Sequence, residues 1–183
     1  DLNFDSVTRV LPGTGLTQLD EIWLPTTVQS ADVVISMPKI KTHHWAAVTL
    51  SLKNLFGCVP GNVYGWPKNV LHWEGIDNSI AELAATIPVH YVIADGIVAM
   101  EGNGPLHGET VNSQVIVMSD NLAAADATAT RLMGLDPTRI VHLNYMRQLG
   151  EPIVERRIAQ VGESLSAYCR EFRVIDDFKH LKV

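Results

Sequence analysis

The chain is expected to adopt a layered α/β fold, with a mostly parallel sheet flanked by helices, built as a single α/β domain over residues 1–183. Three observations carry that expectation. Short β-branched runs recur at Ala31–Met37, His90–Ala94 and Val115–Ser119, each followed by Pro or Asp. Amphipathic stretches of ten or more residues alternate with them. The length of 183 residues is enough to bury about 70 % of the unfolded surface in one core.

Along the chain, the first thirty residues follow neither a helical nor a strand period. Ala31–Met37 reads as a buried strand stopped by Pro38. Residues 47–56 place Val48, Leu52, Leu55 and Phe56 on one helical face, with Gly57 suited to a left-handed residue past the end. Residues 57–73, rich in Gly, Pro and aromatics, read as a long loop of the kind that covers binding sites. In 77–87, Ile80, Leu83, Ala84 and Ile87 fall at i, i+3, i+4 and i+7, and Pro88 closes the helix. His90–Ala94 is the second buried strand, ended by Asp95-Gly96, and Val115–Ser119 the third. A helix follows over 121–133, with Asp120 as its N-cap and Gly134 past its end. Asp136-Pro137 starts another, running to about Leu149. Residues 157–161 read as a strand, and Leu165, Tyr168, Cys169 and Phe172 have helical spacing.

Composition narrows the function. A net charge of −6 argues against general nucleic-acid binding, which needs a broad basic face. No apolar run approaches the roughly 18–20 residues that span a bilayer, so no membrane association is expected. The opening Asp-Leu-Asn-Phe has no signal-peptide character, and without an initiating Met an upstream segment is expected to have been removed. Cys58 and Cys169 allow one disulfide at most, and a reduced, cytoplasmic protein is the expectation. Without a C-x-x-C motif the chain alone cannot ligate an iron–sulfur cluster, and no cofactor is named by its sequence.

Charge is distributed unevenly. No acidic residue occurs between Asp32 and Glu74, yet that stretch holds Lys39, Lys41, Lys53 and Lys68, His43, His44 and His72, and Trp45, Trp66 and Trp73. A basic island in an acidic chain is a candidate anion site. The competing reading is that its lysines pair with carboxylates from elsewhere in the fold. Ligands of open α/β sheets bind beyond the carboxyl ends of strands. That rule converges Lys39, Lys41, His43 and His44 with Asp95 and Asp120. Lys53 and Asn54, on the next helix, either join this group or point to solvent. Glycines 102, 104 and 108 form either an anion nest of exposed N–H groups or a structural hairpin. Asp126 reads as a residue on a solvated helix face. Cys58, at a helix end, is a poor nucleophile.

Two stretches, M-P-K-I-K-T-H (37–43) and T-L-S-L-K-N-L-F-G (49–57), resemble the family called domain of unknown function 362. The resemblance continues through His72, D-G-I-V-A-M-E-G-N-G-P (95–105), G-E (108–109) and S-D-N-L-A-A-A-D-A (119–127), and covers most of residues 30–150. Matching motif positions are Lys39, Lys41, His43, Lys53, Asn54, Gly57, His72, Asp95, Asn103, Gly104, Pro105, Asp120 and Asp126. The resemblance implies a shared site but no established reaction. It also implies an amino-terminal α/β segment missing here. Ferredoxin-like cysteine motifs, carried by many relatives, are absent from this sequence.

The leading expectation is an enzyme for a small anionic metabolite, carboxylate or phosphate. Lys39, Lys41 and Lys53 would hold the anion, with Asn54, Asn103, Gly104 and His72 around it. His43 would act as general acid/base, oriented by Asp95 or Asp120. Tyr64, Trp66 and Trp73 would close over the ligand. One alternative is a redox accessory module docking a ferredoxin-like partner through its basic island. The other is a metal-binding domain using His43, His72 and a carboxylate, although no recognised metal-ligand spacing is present.

Overall fold

A computed structural model describes residues 1–66 and 68–183. The unpatterned amino terminus forms an antiparallel hairpin, β1 (Val7–Val10) and β2 (Ile22–Pro25), followed by α1 (Thr26–Ser30). A second sheet comprises β3 (Ile35–Ser36), β4 (Lys39–His43), β5 (Ala47–Thr49), β6 (Tyr91–Asn103), β7 (His107–Val111) and β8 (Val115–Ser119). Between β5 and β6 lie α2 (Ser51–Asn54), α3 (Gly61–Tyr64), α4 (Asn69–Trp73) and α5 (Ile76–Thr86). After β8 come α6 (Leu122–Leu132), α7 (Val141–Gln148) and α8 (Leu165–Tyr168).

The layered α/β architecture expected from the sequence is present, organised around β6. β3 and β4 follow one another along one edge of β6, both parallel to it. β8 and β7 line the other edge and run antiparallel, β8 against the first half of β6 and β7 against the second. β5 pairs antiparallel with β4. Connection length explains these directions. The chain between β4 and β6 includes α5 and is long enough for a parallel crossover, whereas the links 104–106 and 112–114 only allow reversal.

Several local expectations change for tertiary reasons. The run at 31–37 forms only the short β3, and Val33, Ile35 and Met37 are exposed, so it is not buried. β6 does not stop at Asp95-Gly96. It passes through Gly96, where a Cβ would meet Ile40 Cδ1 and Val115 Cγ2 at 2.8 Å each, so only glycine lets these strands close up. Residues 47–49 are recruited into β5, leaving α2 and a 3₁₀ turn at Leu55–Cys58 that contains Gly57. The 57–73 segment, expected as a loop, contains α3 and α4 and buries Leu71, while Tyr64 Oη accepts a hydrogen bond from Trp23 N (2.8 Å). Pro67 lies outside the described residues.

Helix α5 matches its periodicity, with Ile80 and Leu83 wholly buried. The cap of α6 is Asn121, whose Oδ1 accepts from Ala124 N (2.8 Å); Asp120 is one residue too early. Asp136 does cap a turn, Pro137–Arg139, but Ile140 is extended and α7 starts afresh. Glu155–Arg157 is a 3₁₀ turn, and no strand occurs at 157–161. Of the expected carboxy-terminal helix only α8 forms, and Phe172 beyond it is buried. The buried Glu82 carboxylate on α5 accepts from the N–H groups of Thr14 (2.7 Å), Leu16 (3.0 Å) and Thr17 (3.3 Å), fixing the amino-terminal loop to the core. Among the described residues, no helix is long and apolar enough to cross a membrane.

Candidate anion site

The site grows out of the end of β4. His43 closes this strand opposite Ala47 of β5, and its Nδ1 accepts hydrogen bonds from Trp45 N (3.0 Å) and Ala46 N (3.2 Å). An Nδ1 that accepts carries no proton, so the ring proton of neutral His43 is on Nε2. His44 is held the opposite way, because Gly104 O accepts both from His44 N (2.9 Å) and from His44 Nδ1 (2.8 Å). Thr42 Oγ1 donates to Gly102 O (2.9 Å), so the β6–β7 hairpin grips the end of β4 at two carbonyls.

This grip decides between the two readings of the glycine stretch. Gly102 N donates to Arg173 O (2.7 Å) and Gly104 N to Gly102 O (2.9 Å), so these N–H groups are engaged and do not form an anion nest. Asn103 is exposed in the same hairpin, paired with His107. A Cβ on Gly104 would stand 2.1 Å from Thr42 O, which is backbone and cannot swing away. Gly104→Ala is therefore expected to destabilise the fold by about 3 kcal/mol or more, read as a fall in urea midpoint. A midpoint within about 0.5 kcal/mol of the parent would contradict this packing.

The basic island assembles beside this hairpin. The His43 and His44 rings stack at 5.0 Å, Trp45 meets His44 at 4.8 Å and His72 at 5.4 Å, and His72 meets Phe56 at 6.0 Å. Lys53 Nζ sits 3.8 Å above the Phe56 ring, a cation–π contact. Lys68 Nζ donates to Phe56 O, and His72 Nδ1 donates to Lys68 O (3.1 Å). Residues from β4, α2 and α4 thus form one continuous surface of cations and rings. Two of the aromatic residues proposed to cover a ligand, Trp66 and Trp73, are exposed, whereas the Tyr64 hydroxyl is tied to β2.

Burial dominates the electrostatics. Desolvation, followed by the neighbouring Lys53 and the other histidines, holds His43 down to about 3. The ring is neutral at pH 7 and offers an Nε2–H donor, which weakens its expected role as general acid/base. Burial and then Lys68 bring Lys53 down to about 8, close to neutrality but still mostly ammonium at pH 7. Lys68 is lowered as well, chiefly by burial. Among the described residues, no carboxylate lies within ion-pair distance of Lys41, Lys53 or Lys68. Cys58 is pushed up by burial, consistent with an unreactive thiol.

The remaining candidates are placed separately. Lys39 is neutralised by Asp95, whose Oδ2 accepts from Nζ (2.5 Å) while Oδ1 accepts from Ile97 N (2.9 Å). Lys41 lies two residues before His43 on β4, on the same side of the strand, opposite Thr49. Asn54 Nδ2 reaches Ser36 Oγ (3.2 Å) and ties α2 to β3. Asp120 falls away from the others, because β8 is antiparallel. Its neighbour Ser119 pairs with Val92 near the start of β6, whereas Asp95 pairs with Ile116. Neither Asp95 nor Asp120 orients His43, since backbone N–H groups hold its Nδ1. Among the described residues, no group of three or more His, Cys, Asp or Glu side chains is placed to hold a metal ion. Cavities of about 560 and 470 Å³ lie elsewhere, one beside β8 and the other beside α5 and Asp120.

One residue was misread from the sequence. Asp126, expected on a solvated face, is buried on α6 and accepts from Ser51 N (2.7 Å) and Leu52 N (2.8 Å), fixing the first turn of the helix that carries Lys53. The available signal was its setting in A-A-A-D-A, where small side chains let one helix approach another closely. Burial pushes this carboxyl up to about 7, against the lowering effect of its two backbone donors.

Fold and site define an α/β protein in which three lysines, without carboxylate partners among the described residues, border a wall of aromatic and imidazole rings. The chain belongs to the family described as a domain of unknown function, DUF362, whose model matches residues 1–131 and so includes every residue of this site. It is 37 % identical over 126 residues to the thylakoid-associated protein sll1697 of Synechocystis sp. (strain ATCC 27184 / PCC 6803 / Kazusa), a match covering 66 % of this chain. The chain spans 38 % of the length of that relative. No solved structure matches it.

Proposed function

We propose that this protein binds the carboxylate or phosphate group of a small metabolite beside Lys53 and acts on it as an enzyme. The observation that carries this reading is that, among the described residues, neither Lys53 nor Lys68 has a carboxylate partner, although both are desolvated and Lys53 lies near neutral His43. A desolvated ammonium without a counter-ion attracts an anion more strongly than one in water. The Nε2–H of His43 adds a neutral donor. Lys53 replaces His43 as the proton-transfer group, because a lysine near pH 8 exchanges its proton readily at neutral pH. The free thiols of Cys58 and Cys169 accord with a reducing, cytoplasmic setting.

Sulfate tests the binding step, since its own charge does not change between pH 7 and 9.5. Calorimetric titration should give saturable binding at pH 7. Affinity should fall about thirtyfold by pH 9.5, as Lys53 passes through its pKa of about 8 and loses its charge. Absence of binding at pH 7, or an affinity independent of pH, would overturn the assignment.

A further inference from the structure

We propose that Lys53 is an amine nucleophile that forms an imine with the carbonyl carbon of an anionic aldehyde or ketone. The inference rests on the anion site proposed above and narrows its ligand to a carbonyl compound that bears the carboxylate or phosphate. Phe56 gathers the groups that carry it. Lys53 Nζ lies 3.8 Å from the centroid of its ring, and Lys68 Nζ donates to its carbonyl oxygen. Two ammonium groups are thus drawn to one apolar residue. Among the described residues, no carboxylate lies within ion-pair distance of either. An amine that is desolvated beside a second cation sheds its proton more readily than one in water, and this activates it for attack on a carbonyl. The ring favours the ammonium form. Burial and then Lys68 outweigh it and bring Lys53 down to about 8, so roughly a tenth is free amine at pH 7.

The two cations are held differently, which divides their roles. Lys68 donates to a carbonyl, a bond that favours its ammonium and suits it to hold the anionic group. Lys53 Nζ rests on a ring, and the side chain is partly exposed, so a ligand can reach it. Lys53 passes a proton to water, and its Nζ lone pair adds to the carbonyl carbon. The π pair of the carbonyl moves to its oxygen, which takes up a proton to become a hydroxyl. The Nε2–H of His43 is a donor for that oxygen as its charge develops. The hydroxyl takes a second proton and leaves as water while the nitrogen lone pair forms the C=N bond. Ammonium and carbonyl thus become a protonated imine and one water, and nothing is oxidised or reduced.

Reductive trapping of the whole chain with cyanoborohydride at pH 7 tests the proposal. Two aldehydes are compared, glyoxylate, which carries a carboxylate, and propanal, which is uncharged. Peptide mass mapping then locates the alkylated lysines. With propanal, Lys53 should react about tenfold faster than Lys39, whose ammonium is paired with Asp95. Glyoxylate should widen that preference by about another tenfold, because its carboxylate is held beside the amine. Sulfate should slow the glyoxylate reaction at Lys53 and leave that at Lys39 unchanged. Labelling of Lys53 no faster than Lys39 with either aldehyde overturns the imine assignment, even if sulfate binds. A preference for Lys53 that glyoxylate does not widen keeps the nucleophile but overturns the anionic ligand, and the anion site with it.

Discussion

Asp126→Ala is expected to cost about 3 kcal/mol of folding stability and to release the turn that positions Lys53. The carboxylate is buried and accepts from two consecutive N–H groups, Ser51 and Leu52, at the start of α2. Truncation leaves both donors buried without partners, at about 1–3 kcal/mol each, partly offset by removal of a desolvated carboxyl. Asp126→Asn should recover about half, since an amide has one oxygen to offer and directs its NH₂ at a second donor. The pH dependence has a definite sign. The folded pKa is raised from 3.8 to about 7, so between these values the folded state binds more protons than the unfolded state. Stability contributed by this group therefore falls as pH rises from about 4 to about 7. Urea midpoints of the parent and Asp126→Asn, compared at pH 5 and 7.5, should differ by less at the higher pH. A difference that does not change with pH would show that the carboxyl is not shifted upward. Sulfate binding should weaken in Asp126→Ala, even under conditions where the protein remains folded.

Lys53→Met should separate binding from stability. The ammonium is desolvated, lies near Lys68 and has no carboxylate partner among the described residues, so its replacement by an apolar chain of similar length is expected to stabilise the fold by about 1 kcal/mol. The same change should abolish sulfate binding. Loss of the contact with Phe56 opposes the gain, although its value of roughly 0.5–2 kcal/mol is partly retained by sulfur–ring contact. The folded pKa of Lys53 is lowered from 10.5 to about 8, so within that window the unfolded state binds more protons. Parent stability should rise from pH 8 towards 10.5 by an increment that Lys53→Met lacks. Thermal melts at pH 7 and 9.5, with titrations on the same samples, measure both effects. A variant that is less stable than the parent and still binds sulfate would remove Lys53 from the site.

Much of this organisation was legible in the sequence, and its failures share a cause. Helices α5 and α6 were found within one or two residues because their signals come from neighbours three or four positions away. Val115–Ser119 was found as a strand, but its direction was not, because direction depends on the link back to β6. Residues 47–49 followed a helical pattern until pairing with β4 claimed them. At the site, the acid-free stretch identified the surface on which Lys53, Lys68, His43 and His72 gather, and Asn54 lies on the helix beside it. It did not show that Lys39 would be neutralised by Asp95, or that Asp120 would lie towards the other end of the sheet.

The sequence by itself determined the alternation of strands and helices, the concentration of lysine, histidine and tryptophan in residues 33–73, and the family. Tertiary structure alone decided which lysines lack carboxylate partners among the described residues, and which nitrogen of His43 bears the proton. It also assigned Asp126 to a helix 75 residues away. Periodicity and caps depend on a few adjacent residues, and these can be read in order. Desolvation, ion pairing and hydrogen-bond partners depend on which distant segments fold into contact, and that contact sets the charge each group carries.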